Sequence, residues 1–293
     1  LCGLGIGVAY TAVLFAVMGR YGDKPGLASG VLLMGFGLGG FILGPAVTAV
    51  IYGPVGWRAT YVLLGFVFGA VLTAGSFFVS LPPAPGAAAP GPSSSTADFS
   101  PGRVIRSRSY RWYLSWVVLV ATNGMAVLSM GAPLALDIGA SPMGAAVAAG
   151  VLSMGNGMGR LLFGHLFDRH GRPAAMLTAS VFFAAAAVGV LTAYSRSSYL
   201  LLLAAFLATG ISYGSTPILN SCFSRSVYGE KYLKYNLGII NLGYLVSAPL
   251  GAYGAGIVKT LTGGYLPLFL ALMVFSAASL GVLRKLNRVL PGA

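Results

Sequence analysis

Few residues in this chain have side chains suited to chemistry, and the densest run of them is GNGMGRLLFGHLFDRHGR, residues 155–172. Arg160 sits in an otherwise apolar stretch with Asn156 four residues before it. Eight residues later come Asp168, Arg169, His170, Gly171 and Arg172. An arginine at the centre of a bilayer costs at least about 2.5 kcal/mol, so an intramembrane charge faces the bundle interior or an aqueous cavity. A helical rise of about 1.5 Å per residue puts Arg160 about 12 Å from Asp168, too deep for easy snorkelling. The chemistry on offer is capture of an anion, because a guanidinium presents a rigid fork of donors that suits a carboxylate. The alternative is a structural arginine bonded to backbone carbonyls of a neighbouring helix.

Other polar or aromatic residues near mid-helix are candidates to line the same site: Tyr10, Asn123, Asn156, Tyr213, Asn220, Asn241 and Tyr244. Each also suits helix–helix hydrogen bonding, the common reason for a buried amide in lipid. Of these, Asn156 shares a helical face with Arg160. Several tempting patterns lead elsewhere. GLGIG (Gly3–Gly7) and GFGLGG (Gly35–Gly40) lack the strand and the ribose-binding acid of a nucleotide loop and fit close helix packing. GISYG (Gly210–Gly214) matches G-x-S-x-G without its strand–turn–helix context. The only histidines, His165 and His170, follow Arg160 at the end of one helix. Cys2 and Cys222 have neither metal nor disulfide spacing. No enzyme activity, metal or cofactor is expected.

The elements that must position these residues are membrane helices. Of 293 residues 57% are hydrophobic and 8% charged, against roughly 25% charged in a soluble domain. Nine apolar runs, near 1–19, 27–52, 58–80, 112–135, 142–166, 173–194, 198–222, 237–260 and 265–283, are each long enough to cross a core of about 30 Å as a helix. The alternating ten-residue strands of a membrane barrel are absent from the pattern. The fold class is all-α, a polytopic helical bundle. With the Asp168 loop taken as cytoplasmic and the helices alternating from it, every lysine and arginine falls inside except Arg58, Arg196, Lys259 and Arg160 itself. That is the positive-inside rule, so the net charge of +13 sets topology rather than recruiting nucleic acid. Trp112, Tyr113 and Trp116 at one boundary, with Tyr52, Trp57 and Tyr61 at the other, fit interfacial aromatic belts. The expected location is the plasma membrane, with the C-terminus cytoplasmic.

Residues 82–102, PPAPGAAAPGPSSSTADFSPG, read as a Pro/Ala/Ser linker that cannot be a helix or bury a core. Three spans precede it and six follow. YGDKPGLASGVLLMGF (Tyr21–Phe36) recurs as YGEKYLKYNLGIINLGY (Tyr228–Tyr244), with six spans between the two. The expected unit is therefore six helices in parallel repeat. The divisions are residues 1–81, three helices of a first bundle; 82–109, a cytoplasmic linker; and 110–293, a second bundle of six. The expectation is a chain lacking its first three helices.

GHLFDRHGR (Gly164–Arg172) resembles the loop signature G-x-x-x-D-R-x-G-R of the major facilitator superfamily. The resemblance implies helices 4–12 of a twelve-helix transporter and a gating role for Gly164, Asp168, Arg169, Gly171 and Arg172. The physics fits that role: Gly164 permits close helix approach, Asp168 suits the positive end of a neighbouring helix, and Arg169 and Arg172 are placed to pair across the cytoplasmic face. GLGIGVAY (Gly3–Tyr10), RYGDKPGLASG (Arg20–Gly30), GWR (Gly56–Arg58), GNGMGR (Gly155–Arg160) and YGEKYLKYNLG (Tyr228–Gly238) resemble the oxalate/formate antiporter and monocarboxylate transporter branch. GFILGP (Gly40–Pro45) resembles the antiporter motif of helix 5. The branch's carboxylate-binding arginine of helix 8 falls on Arg160, and its helix-4 tyrosine on Tyr10. Two departures matter. The helix-11 lysine of the oxalate exchangers is missing, with Tyr244 near its place. The aspartate that precedes the arginine in proton-coupled members is Asn156 here. The resemblance implies alternating-access transport of a small organic anion, a monocarboxylate rather than a dianion. Alternatives are an exchanger of a neutral or zwitterionic solute with Arg160 structural, or a solute sensor that moves nothing.

Overall fold

The computed structural model describes residues 2–21, 25–51, 56–78 and 98–290, and within these all regular structure is helical. Helices α1 (Cys2–Arg20), α2 (Pro25–Ile51) and α3 (Gly56–Ser76) precede a short α4 (Pro101–Arg106). Then come α5 (Arg108–Asp137), α6 (Pro142–Ser195), α7 (Tyr199–Tyr228), α8 (Leu233–Ala248), α9 (Gly254–Thr262) and α10 (Leu266–Val289). A π turn, Pro249–Tyr253, joins α8 to α9, so the two form one span. Among the described residues seven helices are long and apolar enough to cross a membrane, and α1 adds the shorter apolar stretch Gly5–Val17. The 54 residues of α6 are two spans: Gly171 has φ 74° and ψ −179°, which breaks the helix into residues 142–170 and 172–195. Only glycine adopts that conformation without strain, and Pro173 then opens the second arm in the first turn, where its missing N–H costs nothing. With the two arms of α6 taken separately, and α1 included, nine helical segments among the described residues correspond to the nine apolar runs.

Local chemistry explains the starts of these helices. Ser107 accepts from the Tyr110 amide at 3.1 Å and Ser141 from the Gly144 amide at 3.1 Å, each capping an N-terminus that would otherwise leave donors unmet. At one end of the bundle Lys259 pairs with Asp137 at 2.8 Å, tying α9 to α5. The opposite end carries Arg103, Arg106, Arg108, Asp168 and the α7–α8 turn, and is called the basic end below.

Three clusters of buried residues hold the bundle. One, near the Lys259 end, gathers Leu134, Leu152, Phe206, Tyr265 and Phe269. A second, at the basic end, gathers Tyr113, Trp116, Phe163, Phe183 and Phe223. The third joins α1 and α2 to α7 and α8 through Leu14, Leu33, Ile218, Cys222 and Leu237.

Two expectations need correction. The linker does not run unstructured to residue 102: Phe99 N–H donates to Tyr228 O at 3.0 Å, Asn236 Nδ2 donates to Phe99 O at 3.0 Å, and α4 begins at Pro101. Pro at a first helical position is favourable, which the composition of the linker concealed. Tyr113 and Trp116 are not interfacial either. Both are fully buried, Tyr113 OH donating to Asn220 Oδ1 at 3.0 Å and Trp116 Nε1 to Ser180 Oγ at 2.9 Å. Their polar tips find partners inside the bundle. Trp57 and Tyr61 are exposed as a belt requires. Asp23, Lys24, Tyr52 and residues 82–97 lie outside the described residues, as do the side chains of Cys2, Phe36 and Pro45.

Candidate functional site

The first arm of α6 packs against two helices at backbone distance. A Cβ on Gly155 or Gly159 would strike the carbonyls of Leu207 or Ile211 in α7, and one on Gly210 or Gly214 would strike the carbonyls of Leu152 or Asn156. On another face a Cβ on Gly157 would meet Met34 O and Gly37 of α2, and one on Gly30 would meet Arg160 O. The glycines of GNGMGR and GISYG are therefore packing residues. Ser212, the serine of GISYG, is fully buried in α7. In GFGLGG, Gly37 and Gly40 pack against Gly157 and Ser153, whereas Gly3, Gly5 and Gly7 of GLGIG have nothing within 4 Å, so the packing expected of them is not seen among the described residues.

Arg160 stands where these faces meet, eleven residues before the break at Gly171. Its Nε donates to Asn156 Oδ1 at 3.1 Å and its NH1 to Leu33 O of α2 at 3.0 Å. The i, i+4 amide thus fixes the tilt of the guanidinium, and the neighbouring carbonyl anchors one nitrogen. Tyr10 of α1, Tyr213 of α7 and Tyr244 of α8 all lie within electrostatic reach of its charge. All four side chains, and that of Asn156, are half-buried. Five helices therefore converge on this arginine. Tyr244 OH donates to Thr216 Oγ1 at 3.0 Å, which in turn donates to Tyr213 O at 2.9 Å, so two of the tyrosines are held through one threonine.

Asn241 belongs to a polar chain. Asn220 Nδ2 donates to Asn241 Oδ1 at 3.0 Å, and Tyr113 donates to Asn220. Asn123 donates to Ser276 Oγ at 3.2 Å, tying α5 to α10. Asn123 and Asn220 are thus helix–helix ties, which is what buried amides in lipid usually are.

The Asp168 cluster divides in two. Leu27 N–H, in the first turn of α2, donates to Asp168 Oδ2 at 2.9 Å. A carboxylate there meets both an unsatisfied amide and the positive end of the helix dipole. Asp168 and Arg169 are exposed, and Gly164 is buried in the arm. Arg172 reaches across the basic end to α10. It is buried, with NH1 donating to Asn287 Oδ1 at 3.1 Å and NH2 to Leu290 O at 2.8 Å. It thereby ties the second arm of α6 to the last carbonyls of α10, a favourable place for a cation.

Two contributors lay beyond sequence reasoning. The Leu33 carbonyl is main chain and leaves no trace in side-chain type. Thr216 had one available signal, its position three residues after Tyr213 and four before Asn220 on a helix. Among the described residues no three of His, Cys, Asp or Glu gather where they would hold a metal ion.

Comparison with known proteins bears on the family of the chain. The sequence model of the Major Facilitator Superfamily matches residues 1–252 and 123–291. An uncharacterized 38 kDa protein in the 23S RNA operon of Thermoproteus tenax is 28% identical over 291 residues, covering 97% of this chain and 70% of its own length. The oxalate:formate antiporter of Oxalobacter formigenes is 27% identical over 272 residues, covering 88% of this chain and 60% of its own. Monocarboxylate transporter 12-B of Danio rerio is 26% identical over 320 residues, covering 95% and 66% respectively. The chain thus spans about two thirds of the length of the relatives it matches.

Proposed function

The chain belongs to the Major Facilitator Superfamily, a family of multi-pass membrane transporters, and from that premise we propose that it serves secondary transport of a small organic anion, a monocarboxylate, by alternating access. The observation that carries this is Arg160: a guanidinium deep in an apolar arm, oriented by Asn156 and reached by tyrosines from three other helices. The relatives whose names specify oxalate, formate and monocarboxylates support the substrate class.

Binding and movement share one bond in this scheme. A carboxylate arriving at Arg160 competes with the Leu33 carbonyl for the guanidinium. The Leu33 carbonyl is a single neutral acceptor, whereas a carboxylate brings a full opposite charge and two oxygens that match the guanidinium fork, so the anion displaces the carbonyl and loosens α2 from α6. At the basic end the Asp168 contact to Leu27 holds the same two helices together and breaks when they part. Residues 1–81 and 110–293 then act as the two moving bodies. The basic end is the cytoplasmic one, in the plasma membrane.

The Leu33 bond also favours a second reading, in which Arg160 is structural and the solute is neutral or zwitterionic. Uptake of a labelled carboxylate panel by proteoliposomes containing the purified protein separates the two. Saturable uptake of a monocarboxylate supports the first. Uptake confined to neutral or zwitterionic solutes supports the second.

A further inference from the structure

At the basic end, on the opposite side of the Gly171 break from Arg160, a groove of about 510 Å³ opens between the second arm of α6 and α10. Its inner walls are apolar: Leu177 and Val181 on α6, Leu280 and Leu283 on α10. Both Leu177 and Val181 are half exposed although they carry large apolar side chains. Its mouth is polar, formed by Arg284 and Asn287 at the end of α10. The sequence builds this shape directly. Gly171 lets the second arm leave at an angle, Ala174 is too small to fill the space opposite, and the Arg172 bonds to Asn287 and Leu290 O clamp the two helices at the charged end. From Pro173 to Val181 the apolar wall runs about 12 Å into the membrane.

A cation at the mouth and an apolar trough behind it match an amphiphile with one anionic head and an acyl chain. Basic pockets between helices on one membrane side are suited to anionic lipid head groups. The surroundings reinforce the sign, since Lys285 and Arg288 lie on the same turn of α10 and no acidic residue lines the groove. We infer that this groove is a binding site for an anionic glycerophospholipid of the basic-end leaflet, its phosphate at Arg284 and one acyl chain between Leu177 and Leu283. The site is separate from the Arg160 cluster and does not rest on the proposed substrate. Asn287 of its lining also accepts from Arg172, next to the break at Gly171.

The test uses purified protein in detergent, with phosphatidylglycerol, phosphatidylcholine and water-soluble glycerol phosphate added separately. Retained lipid is counted by native mass spectrometry and the melting temperature is followed in parallel. Phosphatidylglycerol should be retained and should raise the melting temperature; phosphatidylcholine and glycerol phosphate should not. Arg284→Gln should lower the preference for phosphatidylglycerol about fivefold, the expected loss for one basic residue near a charged leaflet, and Arg284→Lys should restore it. Leu177→Trp fills the trough at a half-exposed position and should abolish retention while the protein stays folded. Arg58→Gln, in α3 away from the basic end, should change nothing. Equal retention of both lipids, protection by glycerol phosphate alone, persistence of the preference in both Arg284→Gln and Leu177→Trp, or a groove occupied only by a second copy in a dimer would each overturn the assignment.

Discussion

The first arm of α6 has two working faces, and they are built differently. Toward α7 it presents Gly155 and Gly159, answered by Gly210 and Gly214, so backbone lies on backbone along two turns. Toward α2 the approach is equally close at Gly157, but side-chain bonds cross it: Arg160 to Leu33 O, Ser153 to Gly37 O and Asp168 to the Leu27 amide. Backbone packing by itself offers no substitute partner, because dispersion between close-packed backbones is lost as soon as they separate. Hydrogen bonds have alternatives, since an anion, water or another residue can take either partner. On the transport cycle proposed above, the face toward α7 would stay joined while the face toward α2 opens, and the side-chain bonds of Arg160, Ser153 and Asp168 lie on the face toward α2.

The largest effect should come from forcing both faces apart. Gly159→Leu puts a side chain against the Ile211 carbonyl, which has nowhere to go. Overpacking typically costs 1–3 kcal/mol, and more where backbone must shift, so roughly that much or more is lost here. We expect little monodisperse protein on size exclusion. Gly157→Leu strikes α2 instead and should leave a folded, inserted protein that binds but turns over poorly. Gly39→Leu, where a Cβ meets nothing within 4 Å, is the control for leucine itself. If Gly157→Leu unfolds the protein as fully as Gly159→Leu, the two faces are equivalent and the contrast fails.

Next in size is the arginine. Arg160→Gln keeps a polar chain of similar reach and should preserve folding while anion affinity drops. A hydrogen bond to a charged group contributes about 1.5–3 kcal/mol, or about 10- to 100-fold in affinity. Arg160→Lys keeps the charge without the fork and should fall between the two. Equilibrium binding of acetate-like ligands measures both. Undiminished affinity in a well-folded Arg160→Gln protein would leave the arginine as scaffold, held by Leu33.

Asp168→Asn should act on the other end of the same face. The amide still accepts from Leu27 N–H but gives up the charge that suits the end of α2, an effect of about 0.3–1 kcal/mol. Turnover should fall about two- to fivefold, more than substrate affinity does. Loss of equilibrium binding with turnover retained would make Asp168 a binding residue.

The sequence disclosed what is local and hid what is distant. Apolar run length marked the helical segments, and i, i+4 spacing put Asn156 on the helical face of Arg160, because both depend only on helical geometry. The contact of Asp168 with a helix start was legible in kind, since an acid at a helix end suits few partners, though not that the partner was Leu27. Tyr113 and Trp116 misled because amphipathic rings near a span boundary suit both lipid headgroups and a buried polar tip, and their partners are 107 and 64 residues away. Arg172 was legible as a residue placed to pair across the basic end, though not that its acceptors lie 115 and 118 residues further along. The π turn at Pro249–Tyr253 was marked only by its proline, which equally suits an ordinary kink. There Gly251 comes within close range of Thr122 O on α5, a packing constraint that no single sequence displays.

The smallest effect, and the finest test of the contrast, belongs to Ser153. Its hydroxyl donates to Gly37 O at 2.9 Å and crosses the separable face without any charge. Ser153→Ala removes that donor but leaves no orphan, since Gly37 lies within α2 and its carbonyl remains an acceptor in that helix's own ladder. The net loss of a neutral hydrogen bond is about 0.5–1.5 kcal/mol, and the alanine should stay near the lower end because nothing buried is left unmet. If this face opens in each cycle, the bond exists in only one of the two states, so losing it shifts their balance by that amount. The expected signature is a slightly lower melting temperature with turnover changed by no more than about threefold and anion affinity untouched. A Ser153→Ala protein as destabilised as Gly159→Leu would mean that this face is as permanent as the one toward α7, and that the moving joint of the molecule lies elsewhere.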